Sequence, residues 1–273
     1  MISPITSQFE KAVKENRAAY IPFIMGSFPN EDTFVRLLKT LDDCSSDVIE
    51  VGIPFSDPIA DGPTIQKAGK IALESGASLK KILGTLNKVR SEIQAPIVLM
   101  TYWNPILKMG VDKFVETIKD SNIAGVIVPD LPPDEASYWM DVAGAHGVDT
   151  IFMVAPTTTP KRLETIVKAS KGFVYLVSMT GVTGNVLVVS DALLKTVANV
   201  KKLTSQPVAV GFGVSNPDQA AALSDVADGV IVGSALIKKC LEAPDELTAI
   251  NAVSDLSRGI IERLGKSRAV RHA

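Results

Sequence analysis

The chain has 273 residues, of which 46% are hydrophobic and 21% are charged, so it can bury a large core. Its formal net charge of −2 excludes the basic surface that binds nucleic acid or an anionic membrane. The cysteines, Cys44 and Cys240, have no metal-ligand or redox spacing, and we see no signal peptide or apolar run of bilayer length, so we expect a cytoplasmic protein.

Short apolar runs alternate with stretches of helical periodicity along the chain. A leading helix is predicted at Ile5–Glu15. Eight strand-like runs follow, at Tyr20–Met25, Val48–Val51, Ile97–Thr101, Gly125–Val128, Thr150–Val154, Phe173–Ser178, Val208–Gly211 and Gly229–Val232. The helical patterns include Glu31–Leu41, Val111–Ser121, Glu135–Ala145, Pro160–Ala169 and Pro217–Leu223. Ser190 and Asn216 are predicted to cap further helix starts.

This alternation predicts an α/β fold, a single-domain (β/α)₈ barrel (TIM barrel) over residues 1–273, with the extra N-terminal helix closing its bottom. The runs are mostly continuously apolar, which is typical of parallel strands covered on both faces. A doubly wound open sheet is the alternative. It would place a glycine-rich fingerprint after the first strand, but Met25–Pro29 has the sequence MGSFP.

A carboxylate, Glu50, stands among apolar residues near the end of the second run. Burial there should raise its pKa, which suits a proton donor or acceptor near neutral pH, although an ion pair with a structural role is the alternative. The loop that follows carries Asp57 and Asp61, and either could pair with Glu50 in acid–base chemistry or serve as a turn or cap residue. The two histidines, His146 and His272, are expected at the surface.

The last three strand–helix junctions are rich in glycine, at Ser178–Gly184, Gly211–Ser215 and Gly233–Leu236. Glycines let backbone N–H groups approach a phosphate, and phosphate often binds after the last strands of such barrels. Tyr102, Trp103 and Asn104 end the third run and Phe212 ends the seventh, so they could line a flat pocket or simply pack at the rim; Asp130 could bind or cap a loop. The residues alone therefore indicate a phosphate-handling barrel enzyme with carboxylate acid–base groups.

At these positions the chain resembles the tryptophan synthase α-chain family. The most specific match is Glu50–Gln66, EVGIPFSDPIADGPTIQ. Shorter matches follow in order at Met100–Ile106, Pro129–Pro132, Gly181–Gly184, Gly211–Ser215 and Gly233–Ala235, and together they cover nearly the whole chain. The pattern departs from the family at Met25–Pro29, at Lys67 and at Asn185–Ser190.

The resemblance implies cleavage of indole-3-glycerol phosphate to indole and glyceraldehyde 3-phosphate. It implies that Glu50 protonates the ring and assists removal of the hydroxyl proton, while Asp61 faces the indole N–H and stabilises the cationic ring. The substrate-binding residues would be Tyr102 and Phe212 beside the ring, Gly184, Gly213, Gly233 and Ser234 at the phosphate, and Thr183, which helps position Asp61. A dozen residues, Met179–Ser190, are predicted to form a lid, with an early helical turn as the alternative.

The resemblance also implies a partner, a β subunit that uses pyridoxal phosphate and receives the indole, in an α2β2 heterotetramer. The α chain itself is expected to need no cofactor and no metal. Three alternatives remain at this stage: a stand-alone indole-releasing lyase, a non-catalytic activator of a β subunit, and a barrel lyase or isomerase for another sugar phosphate.

Overall fold

A computed structural model describes residues 2–121, 123–177, 190–211 and 213–269. Within these ranges, nine parallel strands form one sheet that curves into a nearly closed barrel. The strands are β1 (Ala19–Met25), β2 (Ile49–Gly52), β3 (Ile97–Met100), β4 (Ile123–Ile127), β5 (Asp149–Ile151), β6 (Met153–Val154), β7 (Val174–Val177), β8 (Val208–Gly211) and β9 (Gly229–Val232). The eight predicted runs and the barrel prediction are thereby confirmed.

The fifth predicted run is the one that the structure divides. β5 pairs only with β4 and β6 only with β7, and a single residue, Phe152, separates them. The Phe152 carbonyl accepts a hydrogen bond from the Tyr175 amide at 3.1 Å, so the ladder continues across the break. The two ends of the sheet, β5 and β6, thus belong to one stretch of chain, and this connection brings them together.

Helices surround the barrel and largely follow the predicted pattern. They are α1 (Pro4–Lys14), α2 (Glu31–Asp43), α3 (Pro63–Glu74), α4 (Leu79–Val89), α5 (Trp103–Met109), α6 (Val111–Lys119), α7 (Ser137–Ala145), α8 (Pro160–Ala169), α9 (Asp191–Leu203), α10 (Pro217–Ser224), α11 (Ser234–Glu242) and α12 (Glu246–Ala269), with 3₁₀ turns at Arg90–Glu92 and Pro133–Glu135. The Ser190 and Asn216 side chains accept amide hydrogen bonds and cap α9 and α10, as predicted. No helix in the described ranges is long and apolar enough to cross a bilayer.

The predicted extra helix, α1, closes the end of the barrel at which the strands begin. Its buried side chains Ile5, Phe9 and Ala12 pack against residues that the strands direct inward, such as Ile21 and Phe173. Ser3 caps α1 by accepting from the Ile5 amide and donates its hydroxyl proton to Asp149 at the start of β5. The opposite end, where the strands finish, is left for loops.

Candidate active site

Glu50 lies in the middle of β2 with only 1% of its surface exposed. Its register partners on the neighbouring strands are Phe23 and Val98, both apolar. Neither carboxyl oxygen has a hydrogen-bond partner within the part of the chain that the structure describes. Burial, followed by the nearby charge of Asp61, raises the pKa of Glu50 from 4.5 to about 8. Glu50 is therefore protonated at neutral pH, and its carboxyl group makes no hydrogen bond to a described neighbour.

Asp61 lies on the loop between β2 and α3 and faces the same cavity. Burial raises its pKa to about 6, against the lowering effect of a hydrogen bond from the Tyr102 hydroxyl. Asp57, the other acid of this loop, is exposed, and its carboxylate accepts a 2.7 Å hydrogen bond from the Ser56 hydroxyl. Of the two aspartates that the sequence left open, the structure thus brings Asp61 to Glu50.

A cavity opens where the strands end, and both carboxylates line it. Three of the predicted phosphate residues, Gly213, Gly233 and Ser234, line it as well. Its remaining wall is mainly apolar and comprises Phe23, Ala60, Gly62, Ile65, Met100, Pro129, Met153, Tyr175, Val214 and Ile231. A mostly apolar pocket lined by two carboxylates and by the start of a helix suits a ligand that has a flat ring and an anionic group.

The part of the cavity for which the sequence predicts phosphate binding lies at the start of α11. Gly233 precedes this helix and Ser234 is its first residue, so unpaired helix-end N–H groups and the helix dipole favour an anion there. A methyl group added at Gly233 would meet Phe23 at 3.4 Å, an ordinary contact, and so the protein itself does not exclude a small side chain. Gly213 has φ of 80°, a conformation in which a side chain would strain the backbone.

Tyr102 is nearly buried and is not among the residues that line the cavity. Its ring stacks on Phe55 with centroids 5.1 Å apart, and its hydroxyl oxygen accepts a 2.9 Å hydrogen bond from the Ala60 amide. Asp130 accepts a 2.9 Å hydrogen bond from the amide of Trp103, the first residue of α5, so its carboxylate links its own loop to the start of that helix. Trp103 packs against Trp139, away from the cavity, and Asn104 is exposed.

Comparison with known proteins agrees with this geometry. The family model described as tryptophan synthase alpha chain matches residues 9–261. A tryptophan synthase alpha chain from Picosynechococcus is 43% identical over 239 residues, which are 87% of this chain and 90% of the relative. One from Arabidopsis thaliana is 40% identical over 235 residues, 86% of either chain. The chain belongs to the tryptophan synthase alpha chain family.

Solved structures lead to the same family. A chain of Mycobacterium tuberculosis tryptophan synthase superposes with a TM-score of 0.89 and 38% identity, and the match covers 97% of this chain and 99% of the other. As a tryptophan synthase α chain, the protein is a carbon–carbon lyase that cleaves indole-3-glycerol phosphate, and it has a β-subunit partner. The recognition made from Glu50–Gln66 is confirmed.

Three of the predicted substrate-binding residues, Thr183, Gly184 and Phe212, lie outside the described residues. So does nearly all of the predicted lid, Met179–Ser190, of which only Ser190 is described. The assignments of these residues remain predictions from the family resemblance.

Sequence reasoning missed several residues of the α-chain cavity, above all Phe23 and Tyr175. Tyr175 is nearly buried, and its pKa is raised well above the ordinary value by burial and then by the charges of Glu50 and Asp61. One signal was available, because alternate residues of a barrel strand face inward. Applied to β1 and β7, this rule selects Phe23 and Tyr175, neither of which is the last residue of its strand.

Proposed function

We propose that Glu50 and Asp61 form the acid–base pair of the lyase reaction. The observation that carries this proposal is the separation of two pKa values at one cavity, about 8 for Glu50 and about 6 for Asp61. At a pH between these two pKa values, Glu50 is protonated and Asp61 is ionised, so the same site offers an acid and a negative charge.

In the proposed reaction, Glu50 donates its proton to the indole carbon that carries the glycerol phosphate chain, and the ring becomes cationic. Ionised Asp61 faces the ring N–H and stabilises that charge. Loss of the side-chain hydroxyl proton, assisted by the Glu50 carboxylate, then allows the carbon–carbon bond to break. Its electron pair returns to the ring to give neutral indole, and the hydroxyl carbon becomes the aldehyde of glyceraldehyde 3-phosphate.

Substrate binding is proposed to divide between the two sides of the cavity. Gly213, Gly233 and Ser234 would hold the phosphate through backbone N–H groups, together with Gly184, while Thr183 would help to position Asp61. The family resemblance places Tyr102 and Phe212 beside the ring. The apolar wall that contains Phe23 supports ring binding at that side.

The proposed partner is a β subunit that carries pyridoxal phosphate and receives the indole, and the two form an α2β2 heterotetramer. In this proposal the present chain is one domain and works without a cofactor of its own. Support comes from apolar residues at the end of the barrel where the cavity opens. Ile59, on the Asp61 loop, is 83% exposed, and Leu107 on α5 is 53% exposed. Indole is apolar, and its transfer without loss to water requires a partner surface close to the cavity.

The test measures indole release from indole-3-glycerol phosphate by the purified chain, alone and with a β subunit. We expect slow release alone and faster release in the complex. Ile59→Lys should weaken the stimulation, whereas Val13→Lys, at an exposed apolar position on α1, should leave it unchanged. Absence of indole in both conditions would contradict the lyase assignment, and release without any response to the β subunit would favour a stand-alone enzyme.

A further inference from the structure

The loop that carries Asp61 is joined to the barrel through Tyr102. Within the described residues, the other hydrogen bonds of residues 56–62 stay inside the loop or reach Gln66 in the helix that follows. The Ala60 amide donates to the Tyr102 hydroxyl at 2.9 Å, and the two residues are 42 positions apart in the chain. Among the described residues, Tyr102 therefore provides the hydrogen bond that attaches this loop to a different strand–helix unit.

The donor and acceptor roles of the Tyr102 hydroxyl are fixed in this arrangement. An amide N–H can only donate, so the phenol oxygen is the acceptor toward Ala60. Its one proton remains available to the Asp61 carboxylate, and the interaction between the two groups lowers the pKa of Asp61 and raises the pKa of Tyr102. An ionised carboxylate accepts a hydrogen bond from a hydroxyl more strongly than a neutral carboxyl does. The interaction with Tyr102 therefore favours the charged form of Asp61.

Tyr102 is itself held rigidly. It is 3% exposed, its ring stacks on Phe55 at 5.1 Å, and it immediately precedes α5. The first amide of that helix, from Trp103, donates to the Asp130 carboxylate of the next loop at 2.9 Å. Three consecutive loops of the catalytic end are thus tied together through Tyr102 and its neighbour.

We propose that Tyr102 is a positioning residue, whose hydroxyl holds the Asp61 loop and keeps the Asp61 carboxylate directed into the cavity. This inference rests on the proposed role of Asp61 in the lyase reaction. It gives Tyr102 a task different from flanking the indole ring, because the ring is engaged by Phe55 and the hydroxyl by Ala60 and Asp61.

The test compares Tyr102→Phe, which keeps the ring and removes the hydroxyl, with Tyr138→Phe. Tyr138 is the matched control because its hydroxyl also donates to a carboxylate, that of Asp112, at the exposed surface. For each chain, kcat and KM for indole release are measured from pH 5 to 9.5, and amide hydrogen exchange is measured over residues 57–62.

For Tyr102→Phe we expect kcat at pH 7 to fall about tenfold to a hundredfold, the range for losing a hydrogen bond to a charged group, with KM within about twofold. The acidic limb of the pH profile should move up by about one unit, since Asp61 loses a bond that favours its charge. Amides of the loop should exchange about tenfold faster in the free chain. Tyr138→Phe should match the wild type throughout.

Two results would overturn the proposal. One is a Tyr102→Phe chain with wild-type exchange and an unmoved acidic limb. The other is a rise in KM with unchanged kcat, which would assign Tyr102 to ring binding alone. If the wild-type chain released no indole, the proposed function would fail by itself. Hydrogen exchange would still decide whether Tyr102 holds the loop.

Discussion

The carboxyl groups of Glu50 and Asp61 line one cavity, and the charge of Asp61 contributes to the raised pKa of Glu50. Glu50 must be protonated to act as the acid, and Asp61 must be ionised to stabilise the cationic ring. We therefore expect the kcat of indole release to rise with pH through about 6 and to fall through about 8. A steady-state pH series checks this, and activity that keeps rising to pH 9 would contradict a protonated Glu50.

The proposed acid is also tested by substitution. Glu50→Gln keeps the size of the side chain but removes the titrating proton, so kcat should fall by about 10² or more. Asp61→Asn should behave similarly, because the neutral amide cannot balance the charge of the ring. Glycerol phosphate should still bind to both variants, since Gly233 and Ser234, which follow β9, are unchanged. Near wild-type indole release in either variant would disprove its assignment.

Glu50 should also limit the stability of the fold at high pH. Its folded-state pKa of about 8 lies above the ordinary 4.5, so the folded chain keeps a proton that the unfolded chain releases between these values. The free energy of unfolding contributed by this group therefore falls as pH rises through that window. At pH 9, Glu50→Gln should have a higher melting temperature than the wild type, and its free energy of unfolding should be larger by on the order of 4 kcal/mol or less. Near pH 4 this difference in stability should disappear. Thermal unfolding at both pH values measures it, and a lower melting temperature at pH 9 would contradict the pKa.

The phosphate side is best tested at Gly233, because a side chain at Gly213 would strain the backbone regardless of ligand. Gly233→Asp places a negative charge at the start of α11, where the phosphate is proposed to bind. We expect glycerol phosphate affinity to fall at least about tenfold by calorimetry, an ordinary size for one unfavourable charge contact. Gly84→Asp, at an exposed position on α4 with no atom near the added carbon, is the control. Equal affinity in the two variants would refute the site.

The sequence predicted the barrel well because the determining signal is local. A parallel strand covered on both faces is mostly apolar along its length, and the eight runs largely follow this rule. The same rule made Glu50 conspicuous, since a carboxylate in such a strand needs a reason to be there. The family pattern of Glu50–Gln66 then selected Asp61, which spacing alone did not.

What the sequence did not provide depends on register and on side-chain direction. Phe23 lies beside Glu50 because β1 and β2 pair in one particular register, which no local pattern specifies. Tyr102 was expected beside the ring, but its direction follows from the stacking on Phe55 and the Ala60 amide, and both contacts come from another loop. The break at Phe152 arises where one stretch of chain serves two neighbouring strands, a property of the closed ring.

Because α1 closes one end of the barrel, the interior of the described barrel is reached from the opposite end. Ile5 and Phe9 fill the floor, and in the described part of the chain the catalytic cavity opens at the opposite end. Among the described residues, substrate entry and the departure of both products are therefore assigned to this same end of the barrel. A partner bound beside this end would lie close to the point from which indole leaves, as the proposed β subunit requires.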